Sequence, residues 1–97
     1  MNQFISDLFS VEYKFIIVTG ASKGIGAALA KGFCLAGAKV IGISRKKPND
    51  LTHFFEYYEV DLADENKLIE ISNEIKNKHK IIDGLINAAG FTTGYIE

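Results

Sequence analysis

Gly20, Gly24 and Gly26 fall within Thr19-Gly-Ala-Ser-Lys-Gly-Ile-Gly26, directly after the apolar run of residues 15–19. A strand that hands over to a helix through such a turn is built to hold phosphate. Glycine permits backbone angles and close approaches that a Cβ would block, and the helix start directs unpaired N–H groups and a positive dipole end at whatever lies before it. The natural guest is a pyrophosphate. The spacing Gly-x-x-x-Gly-x-Gly is neither the common dinucleotide pattern Gly-x-Gly-x-x-Gly nor the Gly-x-x-x-x-Gly-Lys of a P-loop. Three glycines in a turn can also be no more than a tight strand-to-helix connection. Lys23 argues for an anion nearby, because a cation at the positive end of a helix costs up to about 1 kcal/mol unless a negative charge offsets it. Taken alone, Lys23 reads as a solvated surface lysine.

The elements that must position this turn alternate between strand and helix. Residues 14–19 read as a strand and residues 24–36 as a helix whose apolar stripe is Ile25, Ala28, Leu29, Gly32, Phe33 and Ala36, with Gly37 as its stop. Residues 39–43 form a second strand and residues 57–60 a third, shorter one, with Pro48-Asn-Asp marking the loop between them. Asp61 or Asp64 caps a second helix that carries Leu68, Ile71 and Ile75 on one face and ends near Lys78. Residues 82–87 give a fourth strand before Ala88-Ala89-Gly90 turns away. Strands joined by crossover segments pair in parallel, so the expectation is an α/β, Rossmann-like, doubly wound sheet of about four strands in the order 3-2-1-4. The ligand crevice of such a sheet lies at the carboxyl ends of its strands. Each candidate group falls there: Gly20–Gly26 after the first strand, Ser44-Arg45 after the second, Asp61-Leu62 after the third and residues 87–90 after the fourth.

Composition narrows the function classes. The chain has 97 residues, 47% hydrophobic and 24% charged, which suits globular material of at most one small domain. A net charge of -1 argues against nucleic acid or an anionic membrane as partner, and Arg45-Lys46-Lys47 is the one basic run. No stretch approaches the roughly 18 apolar residues of a membrane span, and the first residues lack the pattern of a secretion signal, so the expected location is cytoplasmic. Cys34, the single cysteine, excludes an internal disulfide and sits inside the first helix as a small packing residue. His53 and His79 stand apart from other ligands and read as surface or loop residues, and no metal site is expected.

These residues resemble the classical branch of the short-chain dehydrogenase/reductase family. The resemblance runs from the Phe9-Ser-Val-Glu-Tyr-Lys14 segment through Gly90, on three ordered motifs: Thr19–Gly26, Asp61-Leu62 and Asn87-Ala-Ala-Gly90, the last with Ala88 where the family has a second Asn. It implies that Gly20, Gly24 and Gly26 bring backbone and helix to a pyrophosphate, with Ser22, Lys23 and Ile25 around it. It further implies that Asp61 accepts from the adenine amino group beside Leu62. Asn87, Ala88, Ala89 and Gly90 would shape the floor under ribose and nicotinamide. Asp61 as a helix cap, and Asn87 as a tie between strands, are the alternatives.

Cofactor choice rests on the end of the second strand, where an NAD enzyme places an acid for the adenosine ribose. Here Ser44 stands, followed by Arg45, the arrangement that accommodates a 2′-phosphate through two parallel hydrogen bonds. NADP(H) is therefore expected ahead of NAD(H), and Lys23 favours the same phosphate; the alternative for Arg45 is a solvated loop cation. Family chemistry uses a serine and a tyrosine with a lysine four residues on, the lysine lowering the tyrosine pKa for proton transfer to a carbonyl. Tyr13, Tyr57 and Tyr58 are followed at that distance by Ile17, Asp61 and Leu62, and Tyr95 stands too near the last residue. No catalytic residue is thus assigned. The expectation is the amino-terminal, NADP(H)-binding portion of a single Rossmann domain from a short-chain oxidoreductase that interconverts carbonyl and alcohol, truncated before its chemistry and inactive alone. Such a portion should expose an unpaired strand edge and self-associate or be partly disordered, whereas the resemblance implies that complete relatives form homo-oligomers and act on small carbonyl or alcohol compounds. The competing reading is a non-catalytic dinucleotide-binding or regulatory module.

Overall fold

The computed structural model describes residues 10–89. Four strands, β1 (Phe15–Thr19), β2 (Lys39–Ser44), β3 (Glu56–Glu59) and β4 (Gly84–Asn87), alternate with helices α1 (Gly24–Leu35) and α2 (Glu65–Lys78). All pairings are parallel and the sheet order is β3-β2-β1-β4, the order expected of a Rossmann-like sheet. Strand bounds fall within two residues of those read from the sequence.

Side-chain alternation along the strands divides the core into two layers. Ile16, Val18 and Val40 bury on the face shared with Ala30, Phe33 and Cys34 of α1. Ile41 and Ile43 bury on the other face with Ile71 and Ile75 of α2, joined by Val60 and by the half-buried Ile17 and Leu68. β2 is buried almost throughout, as a parallel strand covered on both faces must be. Cys34 is a packing residue in this arrangement.

α1 corrects one expectation. Its buried residues are Gly26 and Ala30, while Ile25 is 56% and Leu29 36% exposed. The helix is apolar nearly all round, so its periodicity does not single out a face; the sheet selects the small residues, which let the helix axis come close. α2 is amphipathic and leaves no such ambiguity. Asp64, not Asp61, is its cap: the Asp64 carboxylate accepts from the Lys67 N–H at 3.1 Å, with Glu65 in the first turn and Lys76 and Lys78 in the last. Asp64→Ala is expected to cost about 1 kcal/mol of stability, read from the urea midpoint.

At the amino-end rim, His79, expected as a surface or loop residue, follows the last residue of α2 as its C-cap but is not on the surface. Its side chain is 10% exposed, its ring lies 4.4 Å from that of Phe15, and Nε2 is 3.1 Å from Glu56 Oε1. Lys78 approaches Glu56 at 3.5 Å and Glu74 at 3.4 Å. Burial pushes the Glu56 carboxyl upward, but hydrogen bonds from His79 and Tyr58 and the charge of Lys78 outweigh it and hold the group below the usual glutamate range. A depressed folded-state pKa stabilises above the unfolded value and ceases to do so as pH falls through the folded value. Glu56→Gln should therefore lower stability at pH 7 by about 0.5–1 kcal/mol, with the gap to wild type closing below pH 4 in parallel urea titrations.

Candidate functional site

The register aligns the strand carboxyl ends on one rim, pairing Thr19 with Ile43 and Asn87, and Ser44 with Glu59. A cleft of about 1070 Å³ opens there. The glycine turn lines it with Gly20, Ser22, Lys23, Gly24, Ile25 and Gly26. β2 contributes Ser44 and Arg45, the segment after β3 contributes Asp61 and Leu62, and the turn after β4 contributes Ala88 and Ala89. Of the residues singled out in the sequence, Asn87 does not line the cleft and Gly90 lies outside the described residues.

The turn is formed by contacts only glycine allows. A Cβ on Gly26 would fall 2.0 Å from the Gly20 carbonyl oxygen, and one on Gly20 would fall 2.7 Å from Ala89 N and Cα. Gly24 has φ +60, in the left-handed region. The Gly20 N–H donates to the Ile43 carbonyl at 2.8 Å, which fastens the turn to β2. α1 then begins with extended backbone at Lys23, no side-chain cap and no acid in its first turn. Its first N–H groups are left to whatever occupies the cleft, and the glycines leave a cradle that a Cβ would fill. That chemistry fits a pyrophosphate.

Asp61 has its Oδ1 accepting from the Ala63 N–H at 2.9 Å, a local turn in which Oδ2 takes no part. Asn87 ties strands: Thr19 Oγ1 donates to Asn87 Oδ1 at 2.8 Å. Lys23, Arg45 and Lys46 are exposed cations on the lining and Asp61 is its one carboxylate, so the cleft favours an anion.

Three features of the site escaped the sequence reading. Lys46 and Val60 also line the cleft. Beneath it, Tyr57 Oη lies 2.5 Å from the Oγ of Ser44, itself only 7% exposed. Burial pushes the Tyr57 phenol above its usual range, against the lowering effect of that hydrogen bond. Gly42 was the available signal: a glycine inside a strand marks a close approach, and a Cβ there would fall 2.4 Å from the Tyr57 ring. The basic run is strapped to both β2 and β3, because Ser44 Oγ donates to the Lys46 carbonyl at 2.7 Å and the Lys47 N–H donates to Glu59 at 2.8 Å. Among the described residues no group of three or more His, Cys, Asp or Glu is arranged to hold a metal, and no helix is long and apolar enough to cross a membrane.

A fold of this order with a glycine cradle at its carboxyl rim defines a dinucleotide-binding class, and comparison with known proteins specifies it. A family model described as short chain dehydrogenase matches residues 14–96, and the chain belongs to that family of oxidoreductases. It is 35% identical over 92 residues to a 2-dehydro-3-deoxy-D-gluconate 5-dehydrogenase of Pseudoalteromonas atlantica, covering 84% of this chain and 36% of the relative. The crystal structure of 2-keto-3-deoxy-D-gluconate dehydrogenase from Streptococcus agalactiae superposes with a TM-score of 0.78 at 32% identity, over 96% of this chain and 38% of that one. A Leptospira borgpetersenii short chain dehydrogenase with bound NAD+ gives the same TM-score at 30% identity, over 92% and 35%. The chain thus spans about a third of the length of these relatives. Family members use NAD(P) cofactors, which is the guest the cradle fits.

Proposed function

We propose that this chain is the cofactor-holding part of a short-chain oxidoreductase and that it prefers NADP(H) over NAD(H). Gly20, Gly24, Gly26 and the free start of α1 hold the pyrophosphate; Asp61 and Leu62 meet the adenine, and Ala88 and Ala89 floor the ribose and nicotinamide. The bound dinucleotide supplies a hydride for a carbonyl carbon or takes one from an alcohol. What these residues do is bind and orient, and proton transfer to the carbonyl oxygen depends on groups these 97 residues do not supply. The substrate is then a small carbonyl or alcohol compound, and the names of two relatives put hydroxylated sugar acids first among those to assay with any longer product of the gene.

The observation that carries the NADP(H) preference is the end of β2. Ser44 there is buried with its hydroxyl turned to Lys46 and Tyr57, no carboxylate stands in its place, and Arg45 and Lys46 line the adjoining wall on a backbone fixed to β3. A guanidinium on a fixed backbone grips a phosphate at less entropic cost than one on a loose loop. Fluorescence titration of the purified chain with NADPH and NADH tests the reading. Saturable binding with NADPH the tighter supports it; equal affinities, or NADH the tighter, refute the preference, and no binding of either refutes the whole. Tight binding by a product that lacks turnover even at full gene length favours a regulatory module instead.

A further inference from the structure

We propose that Tyr57 is a positioning residue for the 2′-phosphate end of the cofactor, its hydroxyl fixing the Ser44-to-Lys46 segment that presents Arg45. The inference rests on the NADP(H) reading of the cleft.

Hydrogen-bond bookkeeping gives the hydroxyl its direction. Ser44 Oγ has one proton, and it goes to the Lys46 carbonyl at 2.7 Å. The 2.5 Å contact with Tyr57 Oη must then be donated by the phenol. Hydrogen bonds therefore run from Tyr57 through Ser44 to the backbone of Lys46, along the side of the cleft that Ser44, Arg45 and Lys46 line. Lys23, Arg45 and Lys46 stand around it.

The rest of the fold makes room for this one ring. Gly42 pairs with Tyr57 in the sheet and has no side chain, so the ring lies over β2; a Cβ on Gly42 would meet Tyr57 Cε2 at 2.4 Å and Phe54 Cε1 at 2.8 Å. Phe54 holds the ring edge-to-face with centroids 4.8 Å apart and planes at 87°. Packing alone would be served equally by phenylalanine. Only the hydroxyl reaches Ser44, and Ser44 is too buried to replace it with water readily.

Equilibrium titrations of wild type, Tyr57→Phe and Phe54→Leu with NADPH, NADH, 2′,5′-ADP and 5′-ADP test the assignment, with melting curves to confirm folding. Tyr57→Phe is expected to weaken NADPH and 2′,5′-ADP by up to about tenfold while NADH and 5′-ADP stay within about twofold, since one buried neutral hydrogen bond that positions the Arg45 segment is removed. Phe54→Leu disturbs the packing but keeps the hydroxyl, and should shift all four ligands by one common factor. If Tyr57→Phe does not fold, Ser44→Ala must show the same selective loss. An unchanged NADPH-to-NADH ratio in the folded Tyr57→Phe chain, or in Ser44→Ala in its place, overturns the proposal while leaving the NADP(H) reading intact. Wild type that lacks the NADPH preference overturns both.

Discussion

Gly26→Ala is expected to abolish NADPH binding and to destabilise the chain by about 3 kcal/mol, the upper range for forcing atoms into a filled site. The added Cβ would stand 2.0 Å from the Gly20 carbonyl oxygen and 2.7 Å from its carbon, both backbone atoms that no rotamer change can move. Relief requires α1 to retreat from the turn, and the turn is itself fastened by the Gly20 N–H to Ile43 and by the seat of Gly20 against Ala89. The same retreat withdraws the first N–H groups of the helix from the phosphate. Gly24→Ala is the internal comparison: nothing lies within 4 Å of its Cβ and its cost is confined to φ +60, about 1–2 kcal/mol. Urea midpoints and NADPH titrations of both variants check this. Equal effects of the two would show that the close approach at Gly26 is not what shapes the cradle.

Arg45→Ala is expected to weaken NADPH by about ten- to a hundredfold and NADH by no more than about twofold. Hydrogen bonds to a charged group contribute about 1.5–3 kcal/mol each way they are measured, and the 2′-phosphate is the one cofactor group that differs between the two ligands. Arg45→Lys should recover part of the loss, since an ammonium keeps the charge but not the fork of parallel donors. Because the side chain is exposed, stability should change by less than about 0.5 kcal/mol, which separates a binding effect from a folding one. Dissociation constants for both nucleotides, measured at one ionic strength, decide it. Parallel losses for NADPH and NADH would assign Arg45 to general attraction of anions.

The parts of this fold legible in the sequence were those governed by local rules. Apolar runs of strand length, the glycine turn and the acid cluster before α2 fix the elements and their parallel order, and the rim follows from that order. Which residue does what at the rim was less accessible, because it depends on contacts between segments far apart in the chain. Asp61 and Asp64 both have the chemistry of a cap, and the choice fell to the geometry that brings Asp64 to the Lys67 N–H. Asn87 offers an amide to either a ligand or a strand, and Thr19 claims its oxygen. The α1 stripe misled because an almost wholly apolar helix has no unique face, and the sheet accepted Gly26 and Ala30 over the bulkier Ile25 and Leu29. His79 was read as a surface or loop residue and Tyr57 as a strand residue without a lysine four positions on, because the role of each is set by a partner more than ten residues away, Glu56 for one and Ser44 for the other.

A nicotinamide dinucleotide held in the carboxyl-end cleft would change the surroundings of the backbone amides that line it, and chemical-shift mapping reads those changes residue by residue. On titration of the isotope-labelled chain with NADPH, saturable shifts are expected at Gly20, Ser22, Gly24 and Gly26, at Arg45 and Lys46, and at Asp61 and Ala88. The opposite rim, around Lys14, Phe15, Lys80 and Asp83, should stay unmoved. Shifts concentrated at that opposite rim, or no saturable shifts at NADPH concentrations up to the millimolar range, would contradict binding in the cleft.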